Sequence, residues 1–284
     1  MKFGFRMAAI SAGVVLLFML LASWWYLAGE GPRPERQGVV RITVARGATA
    51  WRVAHQLARE GLVQQPRRFV WYLKARGKSE ALKAGTYDFP RSHSTREIAE
   101  RILNGDEVVI SITIPEGLRA AHIAGMMQSA QVCDSLEFMR AVGGKSVIDS
   151  YGLEVSTLEG FLFPETYSTR LNRPASDVVK EMVQTFVDKM GVDWIEGARR
   201  DPLGLRGIVT LASIVQGEIQ LSDEAGDVAA LYRNRLRQGM KLQADPTIQY
   251  LVDGEPRRLT LRDLRIDSPY NTYLYTGLPP GPIN

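Results

Sequence analysis

The longest apolar stretch runs from Met7 to Ala28 without a charged side chain. As a helix it would cross a hydrocarbon layer of roughly 30 Å. Lys2 and Arg6 precede it, and Trp24, Trp25 and Tyr26 lie near its end. That order predicts a cytoplasmic residue 1–6 segment, a single transmembrane helix over 7–28 and an outward-facing remainder. A cleaved signal peptide is the competing reading, but the run exceeds a usual h-region and no clean A-x-A site follows. Residues 29–37 are polar with two prolines and read as a linker.

Shorter patterns take over from Gly38. Val39–Val44 is β-branched and partly alternating, which predicts a strand. Trp51, Val53, Ala54 and Leu57 then follow a helical period that Gly61 ends. A second helix is expected from Pro66, a short strand over Lys83–Phe89, and a helix over Ser94–Leu103 with a Ser or Thr cap and an Asn104-Gly105 stop. Val108–Ile114 alternates again. Residues 38–113 therefore read as a small α+β module.

From residue 114 to 284 helical periods dominate. Pro115 and Gly117 mark a turn before a helix, and Pro164 keeps the aromatic-rich Leu158–Tyr167 segment as a loop. Helices are expected over Ala175–Met190 and Leu205–Ile219, and another from Ser222 to a stop at Gly239. Asp245-Pro246 reads as an N-cap followed by proline at the first helical position.

Composition changes this picture little. The chain is 45% hydrophobic with a net charge of +4, and its basic residues are scattered without interleaved aromatics, so no nucleic-acid partner is expected. Cys133 is the single cysteine, and His55, His93 and His122 are far apart, which excludes a thiolate cluster and makes a zinc hydrolase improbable. No cofactor or metal is expected.

One carboxylate stands out. Glu218 follows Leu211, Ile214 and Val215 by seven, four and three residues, on their apolar stripe and near a helix C-terminus. Desolvation and the negative end of the helix dipole would both disfavour its charged form, suiting it to protonate a glycosidic oxygen. An end-of-helix Glu reaching solvent fits the same spacing. Gly217 costs about 1 kcal/mol relative to Ala inside a helix and is expected to let a glycan approach the acid.

LASIVQGEI, LYRNRLRQGMKLQADPTIQY and SPYNTYLYTGLPPGPIN, in that order, resemble the endolytic murein transglycosylase family, also called YceG-like. KAGTY, IPEG and EGFLFPETY are similar to its upstream segments. The resemblance implies a LysM-like module over 38–113 and a mainly helical, lysozyme-like catalytic domain with short strands over 114–284, an α+β chain in all. It implies an enzyme at the cell inner membrane, with its catalytic domain periplasmic or extracytoplasmic. There it would cleave nascent peptidoglycan strands between MurNAc and GlcNAc to leave 1,6-anhydro-MurNAc ends, near peptidoglycan polymerases. Glu218 takes the place of the family's catalytic Glu, and Gln243, Asp245, Thr247, Asn271, Thr272 and Tyr273 fall in blocks suited to sugar hydroxyls and N-acetyl groups. Gln216 stands where the family commonly has another Glu. Family members usually extend beyond the position of Asn284, so a further C-terminal segment is expected.

Two other functions fit the residues. A membrane-tethered glycan-binding scaffold would use the first module alone. A hydrolytic muramidase would pair Glu218 with Asp245, since ordinary glycosidases need two carboxylates roughly 5 to 9.5 Å apart.

Overall fold

The computed structural model describes residues 15–20, 37–252 and 257–284. Apart from 15–20, which are helical, the Met7–Ala28 run and nearly all of the 29–37 linker lie outside the described residues. No helix among the described residues is long and apolar enough to cross a membrane. The expected transmembrane helix and single-pass inner-membrane placement are corrected accordingly: what the structure supports is a chain of mixed helix and strand.

The chain divides into two compact units, residues 1–110 and 111–284. In the first, β1 (Val39–Val44) pairs antiparallel with β2 (Gly85–Pro90), Ile42 opposite Tyr87. Alternation sends Ile42 and Val44 inward, while Arg41 meets Asp88 at 2.8 Å on the outer face. The inner face packs on α1 (Ala50–Arg59), α2 (Pro66–Ala75) and α3 (Thr95–Asn104) through Leu57, Phe69, Leu73, Phe89, Ile98 and Ile102, all fully buried. Ser94 caps α3: its hydroxyl accepts from the Glu97 amide at 3.2 Å, and the Glu97 carboxylate accepts from the Ser94 amide at 2.7 Å. Gly105, at φ +79°, ends the helix in the left-handed region. Trp51 departs from the expected stripe, being 45% exposed and stacked on His55.

β3 (Val109–Thr113) pairs with β4 (Thr166–Arg170), a strand that begins within the segment expected to be a loop. The second unit continues with α4 (Ala120–Ser129), α5 (Ser135–Val142), α6 (Lys145–Ser150), α7 (Ala175–Met190), α8 (Val192–Arg200) and α9 (Gly204–Glu218). A 3₁₀ turn (Ser222–Glu224) leads into α10 (Ala225–Arg237), and α11 (Asp245–Leu251) follows. Along α9, Leu211, Ile214 and Val215 enter a core with Tyr232, Leu242, Ala244 and Ile283. The 282–284 segment lies against α9, with the Ile283 amide donating to the Ser213 hydroxyl at 3.0 Å. It passes Gly160 so closely that a Cβ there would stand 2.5 Å from Pro282. Gly160 also has φ +81°, so both space and backbone require glycine.

Candidate functional site

The apolar stripe of α9 ends at Val215, and Glu218 is the last helical residue. With no further turn to cover it, its side chain is exposed. Of the two readings that fitted the stripe, the end-of-helix Glu reaching solvent holds: Glu218 sits at the rim of the apolar core rather than within it. Gly217 has a different purpose from the one its spacing suggests. A Cβ at this position would lie 2.7 Å from the Pro246 Cβ, so the missing side chain admits the start of α11, not a ligand. Gly217 thereby brings the last turn of α9 against the first turn of α11.

That contact gathers the polar groups of the site. Asp245 is the first residue of α11 and its side chain makes no capping bond; Ala244 occupies the N-cap position. The expected Asp245 cap is corrected because its carboxylate is taken elsewhere, accepting from the Tyr273 hydroxyl at 2.5 Å. Burial, followed by this hydrogen bond and the charges of Asp245 and Glu218, pushes the Tyr273 phenol up to about 12. Tyr232 of α10, 3% exposed, is pushed up by burial and then by Glu218, acting as charge and as hydrogen-bond acceptor. Both phenols therefore remain proton donors at neutral pH. Arg235 pulls the other way on both, and its guanidinium lies 6.0 Å from the centre of the Tyr232 ring. Tyr232 and Arg235 were not singled out from the sequence. The one signal was an aromatic residue within the charged run YRNRLR, and such a residue is ordinarily core packing.

Beneath the exposed groups lies a polar floor. The Thr247 hydroxyl donates to the Ala244 carbonyl at 2.7 Å and stands 2.9 Å from the Thr272 hydroxyl, which accepts from the Ala244 amide at 3.0 Å. Asn271 is fully buried, donates to the Leu264 and Ile266 carbonyls at 3.1 and 2.7 Å, and accepts from the Tyr273 amide at 2.9 Å. Thr247, Asn271 and Thr272, expected to meet sugar, are buried in this structure. They hold the 243–247 and 271–273 segments together. Gln243 is exposed, at φ +51°, and its amide donates to the Thr272 carbonyl at 3.1 Å. Of the predicted residues, then, Glu218, Asp245, Tyr273 and Gln243 reach the surface.

Gln216 faces away from this cluster. It lines a cavity of about 330 Å³ with Glu116, Leu118, Phe163, Trp194 and Ser213. Among the described residues, no group of three or more His, Cys, Asp or Glu side chains could hold a metal ion.

A family model described as the YceG-like family matches residues 42–284. The chain belongs to this family. The endolytic murein transglycosylase of Bacillus subtilis (strain 168) is 26% identical over 279 residues, a match covering 89% of this chain and 74% of that protein. The protein of the same name from Streptococcus pneumoniae D39 is 28% identical over 276 residues, covering 86% of this chain. This YceG-like chain spans 50% of that relative's length. A crystal structure of a YceG-like protein from Listeria monocytogenes superposes with a TM-score of 0.57 at 26% identity, covering 87% of this chain and 86% of that one. These matches support the YceG-like fold as such.

Proposed function

We propose that this YceG-like chain is a lytic transglycosylase that cuts peptidoglycan glycan strands internally, with Glu218 as its acid/base. The reading is supported by relatives named endolytic murein transglycosylases. The observation that carries it is the arrangement at the end of α9, where an exposed carboxylate stands beside two protonated phenols while the Asp245 carboxylate is already engaged by Tyr273.

The chemistry needs only one carboxylate. Protonated Glu218 donates to the oxygen linking MurNAc to GlcNAc as the bond from the anomeric carbon to that oxygen breaks. Glu218, now a carboxylate, takes the proton of the muramic acid C6 hydroxyl as its oxygen closes on the anomeric carbon. The proton returns to Glu218, no water is consumed, and the product end is 1,6-anhydro-MurNAc. The Tyr232 hydroxyl orients the Glu218 carboxylate through both steps, while Asp245, Tyr273 and exposed Gln243 meet the sugar. Cuts of this kind in nascent strands would end their elongation beside the polymerases that make them.

Mass spectrometry of uncrosslinked strands treated with the parent chain and with Glu218→Gln tests this reading. Internal cuts with anhydro-MurNAc ends are expected from the parent alone. Reducing MurNAc ends would establish a muramidase using Asp245, and strands retained uncut by both proteins would establish a binding scaffold.

A further inference from the structure

Arg119 lies outside the cluster around Glu218, yet it contacts the far end of the helix that carries Asp245. It precedes α4 at the N-cap position and makes no capping bond through its side chain. Its guanidinium turns instead to α11, donating to the Gln249 carbonyl at 2.6 Å and the Tyr250 carbonyl at 3.2 Å. These carbonyls belong to the last turn of a seven-residue helix, where intrahelical partners run out. A cation there also matches the negative end of the helix.

The same guanidinium lies 5.0 Å over the Tyr250 ring, and that ring packs against Tyr270 with centroids 4.9 Å apart. Tyr270 begins the segment that leads through buried Asn271 and Thr272 to Tyr273. Beside Arg119, Glu159 is 8% exposed, accepts from the Ala120 amide at 2.7 Å and feels the Arg119 charge. α11 is too short to be rigid by its own hydrogen bonds. Its N-terminal end is tied by Thr247 and Thr272 and its C-terminal end by Arg119.

We infer that Arg119 is a positioning residue, referencing both α11 with Asp245 and the 270–273 segment with Tyr273 to one planar guanidinium, so that the Tyr273–Asp245 hydrogen bond forms beside Glu218. Its value for catalysis rests on the transglycosylase reading; its action on the Tyr273–Asp245 pair does not. Lysine cannot replace it, because one ammonium offers neither the two parallel donors nor the flat face.

The test is nuclear magnetic resonance of chain labelled with tyrosine at ¹³Cζ, following Tyr273 in the parent, Arg119→Met, Arg119→Lys, Asp245→Asn and the Arg119→Met/Asp245→Asn double variant. Both Arg119 variants are expected to move the Tyr273 signal as Asp245→Asn does, with no further movement in the double variant. If Arg119→Met fails to fold, Arg119→Lys carries the comparison. On glycan strands, kcat is expected to fall about tenfold or more with KM within about twofold, because a displaced site loses rate rather than binding. Combining Arg119→Met with Asp245→Asn is expected to add almost nothing to the loss from Asp245→Asn alone. A parent-like Tyr273 signal in both Arg119 variants, or additive losses of kcat, would overturn the inference. Failure of the transglycosylase reading would appear instead as cleavage that is absent or independent of Glu218, and would leave the Tyr273 comparison standing.

Discussion

The core of the first unit and the floor beneath Glu218 are both buried, but opposite kinds of contact hold them. Phe69, Phe89, Ile98 and Ile102 meet through shape and water exclusion, which tolerate exchange among apolar residues of similar volume. Thr247, Asn271 and Thr272 meet through directional hydrogen bonds, each needing a particular donor or acceptor. The first arrangement stabilises a unit. The second places two short segments accurately enough for exposed side chains to work together, at the risk that one lost partner strands another.

Truncation separates the two regimes most strongly. Phe89→Ala should destabilise the first unit by about 3–5 kcal/mol through lost transfer and an unfilled cavity. Denaturant unfolding followed by a probe in that unit measures it, and a loss below about 1 kcal/mol would mean that the core collapses around the gap. Asn271→Ala should cost somewhat less, about 2–3 kcal/mol, by leaving the Leu264 and Ile266 carbonyls and the Tyr273 amide without their partner. Its signature is a second loss, since Tyr273 should shift and the cleavage rate of the still-folded protein should fall. Unchanged kcat in folded Asn271→Ala would show that the floor supports stability alone.

A smaller effect comes through pH. Burial raises the Glu159 carboxyl above its ordinary value of 4.5, against the pull of the Ala120 hydrogen bond and the Arg119 charge. As pH rises past the ordinary value the unfolded chain releases this proton before the folded one does, so the folded state loses stability until its own carboxyl ionises. Glu159→Gln keeps an oxygen for the Ala120 amide and removes the titration. Its stability should therefore gain on the parent as pH rises through that window and hold level above it. Parallel stability curves for the two proteins would contradict the assignment.

Residues governed by neighbours along the chain were legible in the sequence; those governed by distant partners were not. The Ser or Thr cap and the Asn104-Gly105 stop foretold α3, since caps act within a few residues of the helix end. Asp245 before Pro246 carried the same local signature, but Tyr273, distant in sequence, takes its carboxylate and leaves the cap position to Ala244. Thr247 and Thr272 looked like sugar ligands because a hydroxyl that bonds another hydroxyl is indistinguishable in sequence from one that bonds a ligand. The apolar period fitted both a buried Glu218 and an end-of-helix Glu reaching solvent, and the structure shows the second. Gly217 was noticed as a space, and only the structure shows Pro246 filling it.

In the proposed function Glu218 alone serves as acid and base, and no water is consumed. Digestion of uncrosslinked strands in ¹⁸O-labelled water, by the parent and by Glu218→Gln, tests it most directly. The expected result is internal cuts by the parent alone, with no label in the new MurNAc ends because the C6 oxygen closes the ring. Label at those ends would rule out ring closure by the C6 oxygen and show that Glu218 directs water to the anomeric carbon.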